Sequence, residues 1–302
     1  MSANFLLNKY LSFKISIDIT AKTYKKCFSN TLLNSKIVPM KDIDIVFVDI
    51  DCTLLNHSTR PPVYDFDSID ALKEAQSQGV LVFICTARPY HSVKRIGLFD
   101  LFKPDGMILA NGGLALYGDK VLYETAMDPK DFEKFCKIAL SVGANVEGIR
   151  RYDSFLIREP DEAVDALFET YPEDYPPVMD YHNQEVIGAT LFAYKDLDEI
   201  IIPKIPKMLY YFRYHDYGVD TAEVPHIKGK TIRIVLDKLG ISKDRAMAIG
   251  DDLADISMFE QVKYGVAMDN GKDEVKEAAT HVTASISDHG VKKIIESHVL
   301  KK

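Results

Sequence analysis

Residues 45–48 are four apolar positions in a row, Ile45-Val46-Phe47-Val48, and the run passes directly into Asp49-Ile50-Asp51-Cys52-Thr53. An unbroken, mostly β-branched run of this length reads as a strand buried on both faces, as at the centre of a parallel sheet. Asn56 to Pro62 is polar and ends in Pro61-Pro62, which forbids a helix and predicts a short flap. Phe66, Ile69, Leu72 and Ala75 then recur at helical spacing, with Gly79 placed to end the helix, and Val80 to Cys85 is a second buried strand. A strand, helix and strand of these lengths form a right-handed βαβ unit, which brings both strand ends to one edge and sets Thr86 beside Asp49.

The same texture returns later in the chain. Met107 to Ala110 reads as a third strand, followed by the turn signal Asn111-Gly112-Gly113. Ile232, Val235, Leu236 and Leu239 mark a helix that Lys228 precedes and Gly240 closes; Ala246 to Gly250 and Tyr264 to Met268 are two further strands. Val291, Ile294 and Ile295 mark the buried side of a last helix, capped by Asp288-His289-Gly290. Between about Glu124 and Tyr210 the pattern changes to aromatic and acidic residues, with helical segments near Pro129 to Leu140 and Asp161 to Thr170 and β-like runs at Ser154 to Ile157 and Val186 to Phe192. The organisation expected is therefore α/β: a core made of residues 40–123 and 211–302, interrupted by an α+β insertion over 124–210 that is large enough for a separate domain. Residues 1–39 carry six lysines against the single acid Asp18 and show no sustained helical period, so they read as an extension preceding a functional chain that begins near Met40.

Candidate chemistry gathers at the strand ends. Side chains alternate along a strand, so Asp49 and Asp51 leave it on the same side, and two carboxylates this close call for a cation. Mg²⁺ answers that need, because it prefers hard oxygen ligands and also holds phosphate oxygens. An isolated Asp-x-Asp is as well explained by capping a turn. Thr86 is open to two compatible readings, a phosphate ligand or the cap of the next helix. Arg88 faces either a substrate or a surface salt bridge. Lys228, in the first turn of a helix, stands at an end that already carries partial positive charge, and an anion there would correct this. A fourth strand ends in acid again, at Asp251, Asp252 and Asp255.

Taken together, Asp49-Ile50-Asp51-Cys52-Thr53, Thr86-Ala87-Arg88-Pro89, Asn111-Gly112-Gly113, Lys228, Gly250 through Asp255 and Asp288-His289-Gly290-Val291 resemble the haloacid dehalogenase superfamily, and within it the Cof-like sugar-phosphate phosphatases. The resemblance covers roughly Asp42 to His298 and implies a Rossmann-like, doubly wound parallel core with the insertion as a type 2 cap. It implies Asp49 as nucleophile and Asp51 as general acid and base, with Mg²⁺ held by Asp49, the backbone carbonyl of Asp51 and Asp251, and Asp255 orienting metal-bound water or Lys228. Thr86, Arg88, Asn111 and Lys228 then border the substrate. The acid at position 51 points to phosphate monoesters, since the superfamily's dehalogenases lack it and its ion pumps carry threonine there. Cys52 stands where close relatives usually have glycine, and Ala254 where they usually have asparagine. A phosphomutase of the same fold, a catalytically silent sugar-phosphate binder and a receiver-type signalling domain are the alternatives; the last lacks the large insertion.

Composition narrows the setting. At 302 residues, 47% hydrophobic and 27% charged, the chain has the make-up of an ordinary globular protein. No run of eighteen apolar residues occurs, which argues against a membrane span. A net charge of −8 argues against a nucleic-acid partner and leaves a small phosphorylated metabolite as the expected one. Cys27, Cys52, Cys85 and Cys136 lack the spacing of a zinc site or a disulfide framework, and a reducing cytoplasm is the simplest compartment. His226, His281 and His289 read as loop or cap residues, and a monomer or homodimer is expected.

Overall fold

The computed structural model describes residues 43–170, 175–206, 209–222 and 227–300; the expected extension over 1–39 and the return to the core at Glu223 lie outside them. Seven segments build the first half: β1 (Ile45–Val48), β2 (Leu55–Asn56), β3 (Val63–Tyr64), β4 (Leu81–Cys85), β5 (Gly106–Leu109), β6 (Leu114–Tyr117) and β7 (Lys120–Glu124). They are followed by β8 (Asn145–Ile149), β9 (Ser154–Leu156), β10 (Gly188–Phe192), β11 (Tyr210–His215), β12 (Gly218–Ala222), β13 (Ala246–Gly250), β14 (Tyr264–Ala267) and β15 (His281–Val282).

The central sheet has eight strands in the order β15-β14-β13-β1-β4-β5-β6-β7. It is parallel from β15 to β5 and antiparallel through β6 and β7. β1 lies in its middle with all four residues buried, as its apolar run requires. Alternation then builds two layers. Val46, Val48, Val82, Ile84, Met247 and Ile249 pack with Ile69 and Leu72 of helix Phe66–Ser77 and with Val291, Ile294 and Ile295 of helix Gly290–His298. Ile45, Phe47, Phe83, Ala246 and Ala248 pack on the opposite face with Ile232, Val235 and Leu236 of helix Lys228–Leu239. Gly240 closes Lys228–Leu239 in the left-handed conformation as the sequence predicts, and Asp65 caps Phe66–Ser77.

The second sheet is antiparallel, in the order β11-β12-β10-β8-β9. One face is covered by helix Pro129–Ser141, whose Phe132 and Phe135 pack on Val146, Phe155, Ala189, Leu191 and Val219. Part of the other face is covered by helix Glu162–Thr170 over Leu156 and Phe192. Residues 210–222 form the hairpin β11–β12, which pairs with β10 and so belongs to this sheet and not to the central one. Its sequence, Tyr-Tyr-Phe-Arg-Tyr-His, lacks the apolar alternation that identifies a strand, so only its pairing reveals it. Among the described residues no helix is long and apolar enough to cross a membrane.

Candidate active site

The carboxyl ends of β1 and β13 lie side by side, since β1 pairs with β13 in parallel register. Asp49 continues the ladder through its N–H to the Ile249 carbonyl at 3.0 Å, and its side chain is buried. Lys228, also buried, reaches it from the first turn of helix Lys228–Leu239. The ammonium donates to Asp49 Oδ1 at 2.8 Å and to Asp255 Oδ1 at 2.7 Å. Burial by itself would depress the lysine's pKa, but the carboxylates of Asp255 and Asp49 hold it protonated, above its ordinary range.

Asp255 is fixed from both oxygens. Its Oδ2 accepts the backbone N–H of Asp251 at 2.9 Å and of Asp252 at 3.1 Å, closing the turn after β13. Two glycines make these approaches possible. A Cβ on Gly250 would lie 2.3 Å from Asp255 Oδ2, and one on Gly229 would lie 1.9 Å from the Ser257 carbonyl oxygen. Asp251 is oriented by the Thr53 hydroxyl, which donates to its Oδ1 at 2.8 Å.

Asp49, Asp251 and Asp255 each offer a carboxylate oxygen within 4.8 Å of the others. Among the described residues, Lys228 pairs with two of these three carboxylates, so the group carries more acid than base. The carboxyl of Asp251 shows the consequence, pushed up to about 7 by burial, with Asp255 and Asp252 adding to the effect and the Thr53 hydrogen bond opposing it. A hard divalent cation fits this donor set in charge and in ligand type.

Asp51 is held quite differently. Arg88 grips its carboxylate with both prongs, Nε to Oδ2 at 2.8 Å and Nη2 to Oδ1 at 2.9 Å, and steadies itself on Ser92 Oγ at 2.9 Å. His57 Nε2 lies 2.7 Å from Asp51 Oδ1. Burial works against the charge, but the His57 hydrogen bond and the Arg88 guanidinium outweigh it and keep the carboxyl below the usual carboxylate range. Arg88 is thus neither a loose surface charge nor paired at the periphery; it sits on the second acid of the motif. The side chain of Asp51 does not join the three-carboxylate group.

Thr86 is buried at the end of β4, where its N–H is committed to the Ile108 carbonyl at 2.9 Å. That N–H is therefore not free for an anion, and the hydroxyl is the group that remains. Its oxygen accepts the Arg88 N–H at 3.1 Å, and helix Tyr90–Arg95 takes Pro89, not Thr86, as its N-cap. Asn111 sits in a left-handed turn after β5 and donates its N–H to the Thr86 carbonyl at 3.1 Å, tying the two loops together. Cys52 adopts φ of 57°, the left-handed conformation that favours glycine, and Asn270 Nδ2 donates to its carbonyl at 2.9 Å. Ala254 is exposed on the turn between Asp251 and Asp255.

Sequence reasoning missed His57. It lies in the polar stretch after the acid pair, in the hairpin formed by β2 and β3, and nothing but that proximity marks it. It also missed what His289 does. The fold brings Asp65 to His289 Nδ1 at 2.8 Å, across more than two hundred residues, while Lys292 pairs with neighbouring Asp67 at 2.6 Å. A buried polar group joins helix Tyr90–Arg95 to the antiparallel sheet, where His91 contacts Glu147 Oε1 at 2.9 Å and Ser154 Oγ at 3.0 Å.

Comparison with known proteins places this geometry. Residues 46–295 match the family model of haloacid dehalogenase-like hydrolases. A protein of Streptococcus pyogenes serotype M6, provisionally named a phosphatase, is 30% identical over 278 residues, spanning 85% of this chain and 99% of its own. The 5-amino-6-(5-phospho-D-ribitylamino)uracil phosphatase of Bacillus subtilis is 28% identical over 83% of this chain and 96% of its own. Among solved structures, a subclass IIB sugar phosphatase superposes with a TM-score of 0.69 at 27% identity, over 85% of this chain and all of that one. A Geobacillus kaustophilus protein superposes at 0.77 with 25% identity, again over 85% of this chain and all of its own.

Proposed function

The chain belongs to the haloacid dehalogenase-like hydrolases, and we propose from that premise that it is a phosphatase that hydrolyses small phosphate monoesters of the sugar-phosphate type through a phosphorylated Asp49. The reading is supported by the names of its relatives and by the subclass IIB sugar phosphatase it superposes on. The observation that carries it is the separation of the two motif acids. Asp49 lies in a buried cluster with Lys228, Asp255 and Asp251, while Asp51, two residues on, is held apart by Arg88 and His57.

Phosphoryl transfer needs a nucleophile in line with the leaving oxygen, positive charge on the phosphate and a proton for the departing alkoxide. Asp49 attacks phosphorus and forms the aspartyl-phosphate. Asp51, an ionised carboxylate in the free site, takes up the proton that a phosphate monoester monoanion brings, gives it to the leaving oxygen and afterwards takes a proton from the water that cleaves the acyl phosphate. Lys228, kept charged by its two carboxylates, and the hydroxyl of Thr86 meet the phosphate oxygens, and Arg88 and Asn111 border the mouth. Asp49, Asp251 and the Asp51 backbone carbonyl would hold Mg²⁺, which supplies charge neutralisation when bound, and Asp255 holds Lys228 and the Asp251 turn in place. The five-stranded sheet with its helices, 124–222, forms the cap over this site.

Phosphate release from small monoesters is expected to require Mg²⁺ and to stop in EDTA. Asp49→Asn is expected to form no covalent intermediate. Asp51→Asn keeps the nucleophile but loses the proton donor and the base, so with a substrate that has a good leaving group mass spectrometry after acid quench is expected to find one phosphoryl group on the peptide containing Asp49. Full activity in chelator, or turnover by Asp49→Asn at the wild-type rate, would overturn the proposal. Transfer to a second sugar hydroxyl in preference to water would make the enzyme a mutase instead.

A further inference from the structure

We propose that His57 is a positioning residue for the reaction, holding the carboxylate of Asp51 from the β2–β3 hairpin in the orientation from which it serves the leaving oxygen. The inference rests on the reading of Asp51 as general acid and base. Asp51 is the less buried of the two motif acids, its side chain about one-third exposed against 8% for Asp49. A carboxylate so placed on a turn has several rotamers open to it, and proton transfer tolerates little misplacement. Arg88 sets the plane of the carboxylate through its bidentate grip. His57 adds a third hydrogen-bonding contact, at Oδ1, from a different element of the structure.

That element is built to carry it. Leu54 and Leu55 each donate their N–H to the Ile50 carbonyl at 2.8 Å, and Cys52 donates to the Leu55 carbonyl at 2.8 Å, so the chain folds tightly back beside the acid. β2 then pairs with β3 through Leu55 with Tyr64 and Asn56 with Val63. Asn56 Oδ1 accepts both the N–H and the hydroxyl of Ser58, which shapes the turn in which His57 stands. The ring thus reaches Asp51 from six residues away along a hydrogen-bonded loop, which ties the flap to the reacting acid. Arg88, by contrast, is anchored on helix Tyr90–Arg95 through Ser92. Asp51 is therefore registered against both the flap and the core.

A positioning role predicts a loss that grows with the need for a proton. The measurement is kcat/KM, which reports the step up to phosphorylation of Asp49, for p-nitrophenyl phosphate and for glycerol phosphate. The first has a leaving group that departs nearly unaided, and the second has an alkoxide that must be protonated. His57→Ala is expected to lose about tenfold or more with glycerol phosphate but no more than about twofold with p-nitrophenyl phosphate, a fraction of what general acid catalysis contributes. His57→Gln, whose amide reaches where Nε2 stood, is expected to restore most of the loss. His57→Asn, polar but too short, is expected to behave as the alanine variant and gives the answer even if that variant fails to fold. Equal losses on both substrates, or none, while Asp51→Asn still loses most with glycerol phosphate, would overturn the role of His57 alone. Loss by Asp51→Asn that does not depend on the leaving group would overturn the reading of Asp51 and the inference with it.

Discussion

At the carboxyl edge of the central sheet, Asp49 and Asp255 pair with Lys228 and Asp251 stands beside them; on the antiparallel sheet, Glu147 meets His91, and Asp220 lies across the strands from Glu147 with Thr190 between them. Both places bury acid, but they balance it differently. In the first, among the described residues, acids from two parallel strand ends outnumber the ammonium of Lys228, a charge balance that a divalent cation would suit. In the second, Glu147 has its histidine and the Ser154 hydroxyl, and its carboxyl lies below the ordinary value because, against burial, the His91 hydrogen bond favours the charge. Asp220 has only a 3.5 Å contact with the Thr190 hydroxyl, and its carboxyl is pushed up to about 7 by burial and by the Glu147 charge. The first arrangement carries more acid than its ammonium balances, and the second joins helix Tyr90–Arg95 to the antiparallel sheet.

The largest test of this contrast is Lys228→Met. It leaves Asp49 and Asp255 buried without their cation, a change that costs about 3–5 kcal/mol when one partner of a buried pair is removed. Urea unfolding is expected to show that loss in metal-free protein and partial recovery with Mg²⁺. No recovery would mean that the cluster does not take the ion. His91→Ala acts on the other site, leaving Glu147 buried with the Ser154 hydroxyl as its remaining partner, and is expected to cost about 2 kcal/mol with no recovery by Mg²⁺. Metal rescue there would erase the distinction between the two sites.

Asp220 offers a pH-dependent version. Its folded pKa, about 7, lies above the unfolded value. The native state therefore binds the proton more tightly, and stability falls as pH rises from about 4 to 7. Asp220→Asn removes that dependence and is expected to stabilise the protein at pH 8, on the order of 1–2 kcal/mol, but hardly at pH 4. Melting curves at the two pH values decide it; an equal effect at both would mean that the carboxyl is ordinary. The smallest effect concerns Ala254. Restoring asparagine is expected to tighten inhibition by phosphate by about 0.5–1.5 kcal/mol, the worth of one hydrogen bond. Unchanged inhibition would show that position 254 turns away from the ligand.

Much of the architecture was legible because it depends on patterns a few residues long. The run Ile45 to Val48, the helical spacing of Phe66 to Ala75 and the left-handed glycine at 240 each state a local preference that the fold keeps. The hairpin over 210–222 was not legible, because its aromatic and polar strand is stabilised by its neighbours across the sheet and not by its own periodicity.

At the site the division is the same. The sequence by itself determined which residues carry the charge and that Asp49 and Thr86 lie at one edge, because strand polarity and the handedness of the crossover follow from local chirality. Only the tertiary structure decided the partners: that Lys228 lies between Asp49 and Asp255, that Arg88 and His57 take Asp51, and that Asp65 finds His289. Those contacts join elements as many as 224 residues apart. A side chain's hydrogen-bond partner across such a distance is set by how whole helices and loops pack, and no spacing within the chain encodes it.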